Sequence, residues 1–137
     1  MPRLTELDES TCIRLLRTSV IGRLGFNTAE PAPVILPVNY AVIERSICLL
    51  TTEHGVLRHW ATSTDVAFQV DEIDATRWSG WSVLAQGPCE VVPELEANQL
   101  LRQLPRPRPW ADGDRSTLLR LRWATISGRR LGGPSAG

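Results

Sequence analysis

The chain has 137 residues, a formal net charge of zero and 42% hydrophobic residues, values that fit one domain with a real core. Balanced charge supplies no chain-wide field to draw nucleic acid or an anionic membrane. No apolar run approaches the roughly 18–20 residues that cross a bilayer, and the polar start MPRLTELDES is unlike a secretory signal; a cytoplasmic protein with neither nucleic-acid nor membrane partners is expected.

All 15 basic residues are Arg, whose planar fork suits phosphate and carboxylate. The 3 cysteines, Cys12, Cys48 and Cys89, form no CxxC pair, so they are expected as reduced, mostly buried thiols that pack as small hydrophobes.

In chain order, LTELDESTCIRLLRTS reads as a first helix. Asp8 or Ser10 is placed to cap it, with Leu7, Ile13, Leu15 and Leu16 on one side and Arg14 and Arg17 outside. Strands follow: VIGRLGF, then the β-branched run APVILPVNYAVI, then SICLLTT after a turn at Glu44-Arg45. These three runs suggest an antiparallel meander. Gly55 ends the strand, and Val56, Leu57, Trp60 and Ala61 suit a short helix.

STDVAFQVDEI alternates, with Val66, Phe68 and Val70 on one face and Ala67, Gln69 and Asp71 on the other. GWSVLAQGPCEVV is a further strand with a bulge or kink expected at Gly87-Pro88. ELEANQLLRQL places Leu95, Leu100, Leu101 and Leu104 at helical intervals, and the alternating prolines of LPRPRPWADGD require an extended loop. TLLRLRWATISGRR closes the domain, expected over residues 1–131, as a last strand before a disordered tail over 132–137. Several short strands with few helices predict a small antiparallel β-barrel, filled by its own side chains, so that a large ligand sits outside it or at a seam between subunits.

The ordered set IGRLGF, PVILPVNYAV, a strand ending in Thr-Thr before a Gly turn, VAFQVDEID, GWSVLAQG and ISGRR resembles the flavin-binding split-barrel proteins of the pyridoxamine 5′-phosphate oxidase superfamily. It is most similar to the small actinobacterial-type branch, over roughly residues 5–131. The resemblance implies a mainly β, six-stranded antiparallel split barrel and a homodimer holding FMN in grooves between its subunits. It also implies an oxidoreductase acting on a small-molecule substrate, since the flavin carries the redox chemistry. Reduced deazaflavin in place of FMN, or a non-enzymatic module holding flavin or haem, are the alternatives that relatives of this fold leave open.

The resemblance also assigns residues. Pro37, Val38, Asn39 and Tyr40, with Leu36, would run beside the isoalloxazine ring and offer it backbone N–H and C=O groups. Thr52, His54, Gly55, Val56 and Arg58 would receive the phosphate, and Trp81 and Ser82 would approach the ring or ribityl chain. The chemistry of that second group agrees, because a strand ending in Thr, a Gly turn and a helix start present hydroxyls and free N–H groups to an anion. One departure stands out: many relatives carry a basic residue two positions after the turn glycine, where this chain has Leu57, with Arg58 one further on.

His54 and His59, the only histidines, are 5 apart and fall on different sides of a helix, unlike the i, i+4 spacing of paired metal ligands. No metal site is expected. No nucleophile–base pair or carboxylate dyad appears, so catalytic residues stay unassigned. Trp81 is open between stacking on a cofactor and packing in the barrel, and Ser127 to Arg130 between an anion contact and a solvated strand end. DEIDATR reads as a surface loop. The chain also lacks the Arg-His segment that ends true pyridoxamine 5′-phosphate oxidases.

Overall fold

A computed structural model describes residues 3–51, 55–103 and 117–132. Its first element is a strand, β1 (Leu4–Leu7), followed by helix α1 (Glu9–Leu16). This corrects the single helix expected from Leu4 onward: β1 pairs antiparallel with a distant strand, β9 (Thr125–Leu131), a partner that local sequence does not reveal. Asp8 caps α1, its carboxylate accepting the Thr11 amide hydrogen at 2.8 Å. The Ser10 hydroxyl donates to that same carboxylate and so supports the cap rather than forming it. Hydrogen bonds from Thr11 hold the Asp8 carboxyl below its usual range.

Strands β2 (Ile21–Phe26) and β3 (Val34–Asn39) form an antiparallel pair, and β4 (Ala41–Ile43) pairs with β5 (Ser46–Thr51) across the turn at Glu44-Arg45. The run expected as one strand therefore breaks at Tyr40. The meander is also corrected. β3 and β4 do not pair with each other; they end a curled sheet ordered β3-β2-β6-β7-β8-β5-β4, where β6 is Asp65–Asp74, β7 Ser79–Val91 and β8 Thr117–Arg122. Because β3 runs directly into β4, the chain itself joins the two ends of this sheet. The result is a mainly β split barrel of nine described strands rather than six.

The expected bulge at Gly87-Pro88 is instead a change of partner inside one continuous strand. From Gly80 to Gln86, β7 pairs with β9, and from Cys89 to Val91 with β8. Between them the last run crosses over: Ala124 N–H donates to the Gln86 carbonyl at 2.8 Å, so β8 and β9 are two strands where one was expected. A Cβ on Gly87 would lie 2.6 Å from the Arg122 carbonyl oxygen and 2.7 Å from the Ala124 nitrogen, so only glycine admits this crossing.

Inside the barrel, Leu24, Phe26, Val38, Ile47, Leu49, Phe68, Val83 and Leu121 form the main core, with Cys12, Leu15 and Leu16 of α1. Helix α2 (Val56–Ala61) adds Leu57, Trp60 and Ala61. Helix α3 (Glu94–Gln103) lies on the outside of β5 and β8, where Ala97 and Val92 bury Cys48 and Leu118. Leu100 packs there as expected, but Leu95 is exposed, and Ala97 takes the buried place. Leu104, the proline-rich loop and residues 133–137 of the tail lie outside the described residues. No described helix is long and apolar enough to cross a membrane.

Candidate functional site

Among the described residues β3 is an edge strand, paired on one side only. In an antiparallel ladder the peptide groups of alternate residues point toward the partner and away from it. Tyr40 N–H donates to the Val20 carbonyl at 3.0 Å, which sets the parity: Tyr40, Val38 and Leu36 turn their peptide groups toward β2. Pro37 confirms it, since a residue with no N–H fits where the amide would face away from the ladder. Ile35, Pro37 and Asn39 therefore present their backbone groups at the open edge. Of the four edge residues expected to serve a ring, Pro37 and Asn39 keep that geometry. Val38 and Tyr40 turn their peptide groups toward β2, and their side chains belong to the core. Ile35 shares that open edge.

Tyr40 has another task. It is 2% exposed, its hydroxyl donates to the Leu16 carbonyl at the end of α1, and its ring meets Phe68 edge-on at 4.8 Å. Burial pushes its pKa up to about 12, so the hydroxyl remains a proton donor throughout the physiological range. Tyr40 thus anchors the end of β3 next to Asn39.

Gly55 caps α2 in an extended conformation (φ −74°, ψ 157°), with no side-chain hydrogen bond to the first turn. Val56, Arg58 and His59 are exposed, and Leu57 packs on the core. The position where many relatives carry a basic residue is therefore a partly buried residue packed on the core here, while Arg58 projects to solvent. His59 meets Trp60 edge-on at 4.6 Å. Thr52 and His54 lie outside the described residues.

Trp81 and Ser82 follow one another in β7 and so point to opposite faces. Trp81, 8% exposed, faces inward and packs in the core. Ser82 faces outward, between Asp71 of β6 and Arg129 of β9 in the sheet register. The outer face of β3, β2, β6, β7 and β9 thus gathers the side chains of Pro37, Asn39, Ser82, Ser127 and Arg129 on one surface. Arg130 lies on the other parity, in the row of Trp81.

The thiols offer no nucleophile. Cys12, Cys48 and Cys89 are free and buried, and burial raises all three, Cys48 to about 11 and Cys89 to about 12. Among the described residues, no group of 3 or more His, Cys, Asp or Glu side chains is placed to hold a metal ion.

Comparison with known proteins follows this geometry. The pyridoxamine 5′-phosphate oxidase family model matches residues 8–130. The uncharacterized protein Rv0080 of Mycobacterium tuberculosis is 29% identical over 131 residues, covering 92% of this chain and 84% of that protein. The FAD binding protein of Mycobacterium smegmatis superposes with a TM-score of 0.77 at 25% identity, covering 92% of this chain and 97% of its own. A Corynebacterium glutamicum protein named for the same oxidase reaches a TM-score of 0.80 at 25% identity, covering 93% and 98%. Matched through nearly its whole length, this chain belongs to the pyridoxamine 5′-phosphate oxidase family.

Proposed function

We propose that the protein binds FMN and acts as a flavin-dependent oxidoreductase on a small molecule. The observation that carries this reading is the open edge of β3, where Asn39 offers an N–H and a C=O, and Pro37 a C=O, to one side of a flat polar ring. A pyrimidine-like edge of alternating donors and acceptors is what such a strand edge complements. The uncapped first turn of α2 supplies N–H groups for a phosphate, with the exposed Arg58 adding charge near the same end. Thr52 and His54 complete this proposed phosphate end. Ser82 joins from the outer face.

The bound flavin would supply the electron transfer, and this chain's residues would bind and orient it. The active unit is a two-fold homodimer with a cofactor at each seam. A second reading, FAD in place of FMN, is favoured by the FAD binding protein of Mycobacterium smegmatis at 25% identity. Deazaflavin and haem are further arms of the same test.

The test is titration of the cofactor-free protein with FMN, FAD, a deazaflavin and haemin, each followed by desalting and an absorbance spectrum. Retained flavin bands near ~370 and ~450 nm are expected with FMN. Asn39→Pro deletes the Asn39 N–H aimed at the open edge and should weaken binding roughly tenfold or more, whereas Asn39→Ala, which keeps it, should not. A protein that holds neither flavin, or binding that Asn39→Pro leaves unchanged while the fold persists, overturns the reading.

A further inference from the structure

We propose that α3 is a hinged flap, which swings away from the sheet while the barrel stays folded and so uncovers the outer side of β5 and β8. The motion needs no bound flavin.

Helices α1 and α3 are held on different terms. α1 buries Cys12, Leu15 and Leu16 in the main core. At one end it follows β1, which pairs with β9, and at the other its Leu16 carbonyl accepts the Tyr40 hydroxyl. It cannot leave without opening the barrel. α3 has ten residues, and among those whose side chains are described only Ala97 is buried. Its contacts belong to a second, smaller cluster of Cys48, Val92, Ala97 and Leu118, with Ile43, Leu50 and Leu100 partly buried around it. None of these residues belongs to the main core. Apolar stabilisation scales with the area removed from water, and one alanine with part of a leucine removes little. A detached helix of this length is marginal in water, so α3 unwinds as it leaves and regains chain entropy.

The polar clamp is arranged to let go. The Arg120 guanidinium of β8 donates to Glu96 of α3 at 2.9 and 3.3 Å, and to Glu90 of β7 at 3.0 Å. Only Glu96 departs with the helix. Glu90 stays on the sheet, paired with both Arg120 and Arg122. Arg120 therefore keeps a carboxylate in the open state, and opening strands no charge.

The hinge is equally defined. The Val92 amide donates to the Leu118 carbonyl at 2.8 Å, and Val92 is buried, so the chain is pinned to β8 up to that residue. The next residue begins the helix ladder, its carbonyl accepting the Ala97 N–H at 2.8 Å. Pinned and releasable chain thus meet at Val92-Pro93.

Three buried thiols report on the motion from three places: Cys48 under α3, Cys12 on α1 and Cys89 in the barrel core. Burial raises the pKa of each, so each reacts only after an opening that exposes it.

The test labels the whole protein with dithiobis-nitrobenzoate over a urea series, with reagent slow relative to closing. Each exposed thiolate displaces thionitrobenzoate and forms a mixed disulfide, and peptide mass spectrometry assigns the site. Relative to its rate in the unfolded chain, Cys48 is expected to react at least about tenfold faster than Cys12 and Cys89, with a weaker urea dependence. Two variants separate a flap from general instability. Glu96→Gln weakens only the closed state and should raise the Cys48 rate about threefold. Val70→Ala, on the inner face of β6, weakens the barrel in the closed and open states alike. It should raise the Cys12 and Cys89 rates roughly tenfold and leave Cys48 unchanged. Hydrogen exchange of the α3 amides should follow Cys48 in both variants. Equal rates and urea slopes for the three thiols overturn the proposal, as does a Cys48 rate that rises with Val70→Ala or ignores Glu96→Gln. Fast Cys48 labelling beneath α3 amides that stay protected would overturn it too, since the reagent would then enter by another route.

Discussion

β3 and β5 are both strands of six residues, and they are built on opposite terms. β5 is paired on both sides and covered on both faces, inside by the barrel core and outside by α3, so Ile47, Cys48 and Leu49 are buried in unbroken succession. β3 is paired on one side and covered on one face, and it alternates, with Ile35 and Pro37 exposed. The first is scaffold. The second keeps peptide groups and an apolar surface uncommitted, which is the condition for meeting a ligand or another subunit. Where the fold is most complete, it has the least left to bind with.

The sharpest way to break this division lies at Gly22, on the inner side of the uncovered half. A Cβ there would come within 2.3 Å of the Phe68 ring tip, and Phe68 is wedged against Tyr40. Gly22→Val should destabilise by about 3 kcal/mol or more in chemical denaturation, because the ring has nowhere to retreat. A loss below about 1 kcal/mol would mean that the open half repacks freely, and the contrast with β5 would then be one of rigidity as well as of cover.

Two arginines measure the contrast with the same chemistry. On the covered side, Arg120 has a side chain 12% exposed and holds α3 to the sheet, donating to Glu96 at 2.9 Å and to Glu90 at 3.0 Å. On the open side, Arg23 is 54% exposed and contacts Gln69 at 2.9 Å and Asp71 at 3.5 Å. Arg120→Ala should cost about 1 kcal/mol of unfolding free energy, since it removes the ion pair that ties Glu96 of α3 to the sheet and leaves Glu90 with Arg122 alone. Arg23→Ala should cost no more than about 0.5 kcal/mol. Equal losses would erase the distinction.

The smallest effect is electrostatic. Hydrogen bonding from Arg122, reinforced by Arg120, holds the Glu90 carboxyl below its ordinary value of 4.5. A folded-state value below the unfolded one stabilises above the unfolded value and loses that contribution as pH falls through the folded one. Stability should therefore be flat from pH 7 down to about 5 and decline below. Glu90→Gln should flatten part of that acid limb in urea unfolding, and an unchanged limb would show that the pair is solvated away.

Much of the architecture was legible because it is local. Alternation in VAFQVD, the cap at Asp8, the turn at Glu44-Arg45 and the short helix after Gly55 each follow from neighbours in sequence, and each appears where the residues place it. The ordered motifs also identified the family. What local reasoning missed is pairing. β1 became a strand because β9 offers it an edge, and β7 changes partner at Gly87 because another backbone crosses there.

The site divides in the same way. The family resemblance marked Pro37, Asn39 and Ser82, and the structure gives all three an outward or open-edge place. It gave Val38, Tyr40 and Trp81 the same standing, but strand parity turns them into the core, and parity relative to a partner is set by register, a property of two segments at once. The sequence by itself determined the elements, the cofactor class worth testing and the residues capable of contact. Only the tertiary structure decided which edge of β3 is open and which side chains share a face, because hydrogen-bond direction and facing are fixed when distant strands meet.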